Sequence, residues 1–223
     1  MQNTREISKS ERILNAAEKV FAAHGFEKAT IDEIMALADV GKGTVYKYFG
    51  NKEQLFYQLV ESKNKVFVAD LQQAVDQGRN LKDKLINFFE VMIAFYEQNA
   101  ALWQIICFEM VGGSNGCLVT MMSGKPQVIS RFDTEPSQEE KAQMVRYHLL
   151  LASEFSILQR LMEEGVASGE LDLLDTELST MFIFFGVAMC IFHPHTATEN
   201  MEPAEGARQT VDRFLYGAIN NKH

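Results

Sequence analysis

Paired cysteines and long apolar runs are both missing from this chain of 223 residues. Its three cysteines, Cys107, Cys117 and Cys190, form no Cys-x-x-Cys pair and are odd in number, which fits reduced thiols in a cytosol. No apolar run follows Met1, and the longest apolar run, residues 181–192, is too short to span a bilayer. We therefore expect a cytoplasmic protein without a signal peptide or a membrane segment.

Catalytic and metal-binding patterns are missing as well. Serine, histidine and aspartate residues are scattered, no glycine-rich phosphate loop follows a strand, and no strand pattern is convincing. His193 and His195 lie near Cys190, but no further ligand is spaced to complete a tetrahedral metal site, and Pro194 fits a helix end. We predict that the protein is not an enzyme and needs no cofactor and no metal.

Acidic residues outnumber basic ones, and the excess is unevenly placed. The chain has 30 acidic and 21 basic residues, which gives a net charge of −9. Residues 1–55 hold eight of each sign, so the whole acidic excess lies in residues 56–223. Residues 41–52 hold three lysines and no acid, and this local charge favours contact with a polyanion. The length suffices for one small domain and one of ordinary size.

A helix-turn-helix is predicted just before and within this basic segment. Thr30-Ile-Asp-Glu33 is a capping box, which starts a helix at Thr30. That helix should stop at Asp39, because aspartate tolerates left-handed geometry and Gly41 follows two residues later. A second short helix then begins. Two short helices joined by a tight turn form a helix-turn-helix.

The second short helix has one apolar and one polar face. Val45 and Phe49 fall on the same side, where they can be buried. Thr44, Lys47 and Tyr48 fall on the opposite side and offer a hydroxyl, an ammonium and a phenol group. Such groups suit phosphates and base edges, so this side is the predicted DNA-contacting face.

A third segment begins after Asn51, with Gln54 at the reciprocal capping position. The backbone amides of its first turn would lie beside Lys52 and form an anion site. An earlier helix, started by the capping box Ser8-Lys-Ser-Glu11 and ended at Gly25, would support the other two.

Residues 10–55 resemble the N-terminal DNA-binding domain of TetR-family transcriptional regulators. Phe-x-x-x-Gly-Phe, the threonine of the second helix, Gly-Thr-x-Tyr, Tyr-Phe and Asn-Lys-Glu-x-Leu occur in that order at the spacings of the family. Many members carry glycine in place of Asp39 and histidine in place of Tyr48, but aspartate can adopt the turn and tyrosine still offers a donor. The predicted DNA-binding residues are Thr30, Lys42, Gly43, Thr44, Tyr46, Lys47, Tyr48 and Lys52.

The resemblance implies an all-α homodimer that binds palindromic operator DNA, most often as a repressor. A small molecule in a larger C-terminal domain would release the DNA. We expect a helix-turn-helix domain at residues 1–50 and a helical effector-binding and dimerisation domain at residues 51–223. Predicted helices cover residues 51–75, 81–97, 102–111, 137–165, 175–192 and 204–219, with an irregular connection at 112–136 that includes a short helix at 118–122.

Two of these helices differ in how their apolar residues are arranged. In the helix at 137–165, the residues predicted to face inward are Val145, Leu149, Ala152, Phe155 or Ser156, and Leu158 or Gln159. The helix at 175–192 is apolar nearly all round, which indicates burial on more than one side. In the family the last two helices of each subunit pair into a four-helix bundle. The alternative is that both helices close a monomeric core.

Aromatic and methionine side chains of the C-terminal part suit a pocket for an apolar or aromatic effector, although an ordinary helical core needs the same residues. Two other functions stay open. One is a redox-responsive regulator that uses Cys107 or Cys190, and the other is a helical ligand-binding protein that keeps the helix-turn-helix only as scaffold. The predicted effector-binding residues are Trp103, Phe108, Met122, Tyr147, Phe155, Phe182, Phe185 and Met189.

Overall fold

The computed structural model describes residues 7–110, 117–122, 125–130, 135–192 and 201–218. Within these ranges the chain forms nine α-helices and one two-stranded antiparallel sheet, and the predicted all-α class is confirmed. The elements are α1 (Lys9–Lys28), α2 (Ile31–Ala38), α3 (Lys42–Phe49), α4 (Lys52–Asp76), α5 (Leu81–Gln98), α6 (Ala100–Met110), β1 (Cys117–Met122), β2 (Lys125–Ser130), α7 (Gln138–Ser168), α8 (Thr176–Phe192) and α9 (Pro203–Ala218).

Local capping signals determine where these helices begin. Ser8, Thr30 and Ser137 each accept the amide of a glutamate three residues later, and that glutamate accepts the N–H of the capping residue. Asn51 and Asp175 accept first-turn amides of α4 and α8 in the same way, at 2.7 and 2.9 Å. All five helix starts lie where the sequence predicts them.

The chain divides into two compact units. The first contains α1, α2, α3, the part of α4 up to Lys65, and Ala101–Ile106 of α6. Its core includes an aromatic cluster in which the Phe56 ring lies 4.9 Å from the Phe21 ring and 5.2 Å from the Phe26 ring. The apolar faces of all four helices are buried, including Ile13, Ala17, Val20, Phe21, Ile34, Ala38, Val45, Phe49, Leu55 and Leu59.

The second unit contains the rest of α4, α5 and the elements from β1 to α9. Within it α5 packs against α7, α8 and α9, and α7 also packs against α8 and the two strands. Phe67 of α4 stacks on Phe95 of α5 with ring centres 3.9 Å apart. The buried residues include Leu71, Leu85, Phe88, Phe89, Met92, Tyr147, Leu158, Leu161, Met162, Phe184, Val187 and Val211.

The connection between α6 and α7 corrects the sequence-based prediction. Residues 118–122 are not a short helix, because β1 pairs with β2 in antiparallel register from Cys117↔Ser130 to Met122↔Lys125. Val119 lies opposite Val128, and β-branched residues favour strands. This register leaves only Ser123-Gly124 between the strands, which is a hairpin signal that the prediction missed.

No helix in the described part of the chain is both long enough and apolar enough to cross a membrane.

Candidate functional site

A long-range clamp holds the turn between α2 and α3. Asp39 ends α2 in the left-handed region, with φ 52° and ψ 57°, as predicted. The Arg12 guanidinium, from α1, donates to the carbonyl oxygens of Ala38 and Asp39 at 2.6 and 2.9 Å. It also contacts the Asp39 carboxylate at 3.0 Å. A cation at the carboxyl end of a helix is favourable, so Arg12 fixes α2 and the turn together.

Thr30 acts within the protein as well as facing solvent. Its hydroxyl accepts the Glu33 amide at 3.2 Å and donates to the Glu33 carboxylate at 2.7 Å. Hydrogen bonds from the Thr30 hydroxyl and N–H lower the pKa of Glu33, because they stabilise the ionised carboxylate. The threonine therefore fixes the first turn of α2, and its predicted contact with DNA stays a prediction.

Helix α3 presents the two faces that its sequence predicts. Val45 and Phe49 are buried against the first unit, whereas Lys47 and Tyr48 are exposed and Thr44 is half-buried. Tyr46 is also exposed, which widens the polar face. The outward groups are a hydroxyl, an ammonium and two phenols. They can reach phosphates and base edges.

Gly43 lies in the first turn of α3, and nothing in the protein requires it to be glycine. A Cβ atom added there would meet no atom within 4 Å, and its φ is not in the left-handed region. Glycine inside a helix costs about 1 kcal/mol relative to alanine. The missing side chain leaves the backbone of α3 open to close approach from outside.

The two outer lysines of the basic segment are held by the protein. The Lys42 ammonium lies 3.4 Å from the Asp32 carboxylate, and both side chains are largely exposed. The Lys52 ammonium donates to the carbonyl oxygens of Phe26, Glu27 and Ala29, with Phe26 at 2.9 Å. It also lies 4.6 Å from the centre of the Phe26 ring.

These contacts change the interpretation of Lys52. The sequence suggests a cation beside the first turn of α4, placed for phosphate. In the structure Lys52 caps the carboxyl end of α1, more than 20 residues earlier in the chain, and its predicted contact with phosphate stays a prediction. Sequence spacing within α4 carries no information about this contact, which is why the prediction did not include it.

The predicted effector residues fall into different environments. Trp103 and Tyr147 are fully buried, but they belong to different units. Phe155 is half-buried and packs edge-on against Phe184. The side chains of Phe108 and Met122 lie outside the described part of the structure. The other three face solvent on α8, where the exposed fractions are 73% for Phe182, 44% for Phe185 and 61% for Met189.

A buried carboxyl group in the second unit was missed by the sequence analysis. Glu154 of α7 is fully buried, and Tyr96 of α5 donates its hydroxyl to Glu154 Oε2 at 2.6 Å. Oε1 has no hydrogen-bond partner among the described residues. Burial raises the pKa of Glu154 to about 8, although the hydrogen bond from Tyr96 lowers it, so the protonated, neutral form predominates at pH 7.

The inner face of α7 agrees only in part with the predicted one. Leu149 was expected to face inward but is exposed, whereas Tyr147 and Glu154, seven residues apart, are fully buried. Leu158 and Leu161 continue the same buried face. Leu158 is buried and Val145 and Ala152 are half-buried, so the prediction is wrong for Leu149 and omits Tyr147 and Glu154. A pattern of hydrophobic residues alone does not place a glutamate inside.

Within the described residues, no group of three histidine, cysteine, aspartate or glutamate side chains could hold a metal ion. His193 and His195 lie outside these residues, as do the side chains of Cys107, Cys117 and Cys190. The redox alternative therefore stays a hypothesis.

Comparison with known proteins supports the interpretation of α1 to α4. Residues 13–59 match the model of the bacterial regulatory proteins of the tetR family. The fatty acid metabolism regulator protein of Bacillus subtilis is 24% identical over 174 residues, which cover 78% of this chain and 76% of that protein. A helix-turn-helix transcriptional repressor of Streptomyces coelicolor is 46% identical over 52 residues, 23% of this chain and 27% of the repressor.

Solved structures share the fold over nearly the whole chain. The transcriptional regulator FadR from Bacillus subtilis in complex with stearoyl-CoA superposes with a TM-score of 0.69. The alignment covers 92% of this chain and 97% of FadR, at 19% sequence identity. Similarity therefore extends through the helices that follow the helix-turn-helix.

Proposed function

Because this chain belongs to the TetR family of bacterial regulatory proteins, we propose that it binds a near-palindromic operator as a homodimer and leaves it when a largely apolar ligand binds. It is a transcription regulator with a helix-turn-helix and not an enzyme. The observation that carries the proposal is the outward face of α3, where Thr44, Lys47 and Tyr48 lie opposite buried Val45 and Phe49. We further propose that residues 1–50 bind DNA and residues 51–223 bind the ligand and the second subunit.

The proposed mode of DNA binding places α3 in the major groove. Lys47, Thr44 and the two tyrosines would contact bases and phosphates, and Lys42 would add a phosphate contact at the edge. A helix of eight residues touches few base pairs, so genomic specificity requires two copies about one DNA turn apart or a multiple of it.

Two lysines of the basic segment provide a matched test of this interface. Lys47→Ala is expected to weaken binding to the preferred site by about 1–3 kcal/mol and to leave protein stability unchanged. Lys52→Ala is expected to lower the free energy of unfolding by about 1–3 kcal/mol, because three carbonyl oxygens lose a charged donor. Operator titration measures the affinity of each variant, and chemical denaturation in the same moderate salt measures its free energy of unfolding.

The outcome of that pair separates two roles for Lys52. If Lys52→Ala keeps full stability but weakens binding to every duplex equally, then Lys52 contacts phosphate and the helix-capping role is wrong. If wild-type protein binds a selected site and a random duplex with equal affinity, the operator proposal itself fails.

Gly43→Ala is expected to have opposite effects on folding and on DNA binding. Alanine should stabilise the DNA-free protein by about 0.5–1 kcal/mol, since the added methyl group meets open space. The same methyl group would stand between α3 and the DNA, and we expect operator affinity to fall about tenfold or more. A variant that is more stable and also binds the operator as well as wild type would show that no backbone approaches DNA at Gly43.

The proposed dimer uses the exposed apolar face of α8. Leu178, Phe182, Phe185 and Met189 follow one another at helical spacing on this exposed face. Gly186 is exposed among them, and a Cβ added to it would meet nothing within 4 Å, so another helix can come close. Soluble monomers rarely expose such a continuous apolar face. The occupant that fits is α8 and α9 of a second copy, since homodimers are typical of the family.

The proposed ligand is largely apolar and binds in the second unit. Phe67, Phe88, Phe89, Met92 and Phe95 give that unit an interior rich in aromatic side chains. FadR from Bacillus subtilis was solved with stearoyl-CoA, so acyl compounds are the first ligands to test. Such a ligand would bind free protein more tightly than the operator complex, by the factor that it weakens operator binding.

A further inference from the structure

The Glu154–Tyr96 pair places a carboxyl group in a largely apolar interior. Tyr96 lies beside the stacked rings of Phe67 and Phe95, with its own ring centre 5.7 Å from that of Phe67. The Glu154 carboxyl is bound there by one hydrogen bond, from the Tyr96 hydroxyl to Oε2. Within the described residues nothing binds Oε1.

The hydrogen bond from Tyr96 indicates which oxygen of Glu154 carries the proton. A neutral carboxyl group has one carbonyl oxygen, which accepts, and one hydroxyl oxygen, which donates. The carbonyl oxygen is the stronger acceptor of the two, so the hydrogen bond from the phenol to Oε2 at 2.6 Å favours Oε2 as the carbonyl oxygen. The proton is then on Oε1, so Oε1 is a buried donor that lacks an acceptor in the described structure.

An unmade hydrogen bond of this kind is costly for folding. Leaving a buried donor unsatisfied costs about 1–3 kcal/mol, whereas an apolar side chain of the same size would avoid that loss. A buried donor in a largely apolar interior can also fix the position of an apolar ligand that carries one polar atom. The donor of Glu154 thus matches a ligand that carries an acceptor on a hydrocarbon chain.

We propose that Glu154 recognises the carbonyl oxygen of an acyl ester or thioester by donating a hydrogen bond from Oε1, while Tyr96 orients the carboxyl group. This inference rests on the proposed function, because it requires an apolar ligand in the second unit. No proton leaves Glu154 in this mode, since the ligand only accepts a hydrogen bond. A ligand ammonium group would instead take the ionised carboxylate and release a proton to solvent.

The test compares two ligands that differ in one group. Stearoyl-CoA has the carbonyl oxygen, and its thioether analogue S-octadecyl-CoA has a methylene group in that place with the same chain length. Their dissociation constants are measured by calorimetry on the full-length wild-type protein, on Glu154→Gln and on Glu154→Met. Operator release by each ligand is measured in parallel.

Wild-type protein is expected to bind the thioester about tenfold more tightly than the thioether, the size of one hydrogen bond. Glu154→Gln should keep that preference, because its amide retains a carbonyl oxygen for Tyr96 and an N–H donor for the ligand. Glu154→Met should lose the preference through weaker binding of the thioester alone. Calorimetry in buffers of different ionisation enthalpy should detect no proton release.

Equal affinity of wild-type protein for the two ligands would overturn the inference, and so would a Glu154→Met change that weakens both ligands by the same factor. If Glu154→Met fails to fold, Tyr96→Phe is measured in its place. The preference of wild-type protein for the thioester over the thioether then decides whether the carbonyl oxygen is recognised. If the thioester and the thioether release the operator equally well, only the role of Glu154 is refuted. A thioester preference without operator release refutes the proposed switch and leaves the carbonyl contact standing. If neither ligand binds, the role proposed for Glu154 fails, and the operator proposal is decided by its own ligand-free titration.

Discussion

Replacing Phe182 with glutamate is expected to separate the dimer and abolish operator binding at concentrations where wild-type protein binds fully. Phe182 is 73% exposed in the single chain and lies within the apolar face of α8. A two-fold interface contains the substitution twice, and burying a charge without a partner costs several kcal/mol. We expect the dimer dissociation constant to rise about 100-fold or more. Light scattering and operator titration on the same samples measure both effects.

Val66→Glu is the matched control for this variant. Val66 of α4 is 60% exposed. It is isolated, because no other large apolar side chain of α4 is exposed among the described residues. A glutamate there should leave both the dimer and operator binding unchanged. If Phe182→Glu remains dimeric, the exposed face of α8 is not the subunit interface, and wild-type protein that binds operator as a stable monomer would refute the dimer altogether.

Replacing Glu154 with glutamine is expected to remove a large pH dependence of stability. Burial raises the pKa of Glu154 from 4.5 to about 8. Below pH 4.5 the folded and unfolded chains both hold this proton, so Glu154 does not change how the free energy of unfolding varies with pH. Between pH 4.5 and 8 the unfolded chain releases the proton while the folded chain keeps it, and stability falls as pH rises. Above pH 8 both states are ionised and the loss is complete, at most about 5 kcal/mol.

Glutamine stays neutral at every pH, so the stability of Glu154→Gln relative to wild type should grow between pH 4.5 and 8. Denaturant unfolding at a fixed protein concentration, repeated across this range, gives the difference. Burial also lowers the pKa of His148 and raises that of Glu97, which Glu202 raises further. Both groups are present in both proteins and cancel in the difference. Parallel stability curves would show that Glu154 is ionised in the folded protein.

Signals within a few residues of one another made the helix starts predictable. The capping boxes at Ser8, Thr30 and Ser137 join groups three residues apart, and the left-handed turn at Asp39 depends on one residue type. The apolar side of α3 was predictable for the same reason, because Val45 and Phe49 repeat at helical spacing.

Contacts between distant residues were not predictable from one sequence. Arg12 reaches Asp39 across 27 residues, and Lys52 reaches Phe26 across 26. The exposure of Phe182 was also hidden, since an apolar residue in a pocket, in a core or at an interface has the same sequence signal. Glu154 was missed because a hydrophobic pattern assigns charged residues to the outside, whereas this carboxyl is neutral and buried.

The Arg12 clamp limits how far the helix-turn-helix can be treated as a transferable module. The left-handed residue that aims α3 is held by a side chain from α1, through two carbonyl oxygens and a carboxylate. A chimera that transplants only residues 30–49 into another regulator would leave this support behind, and α3 would then meet DNA at an angle set by the host. Changing the operator preference of such a regulator by exchange of parts therefore requires that α1 travels with α2 and α3.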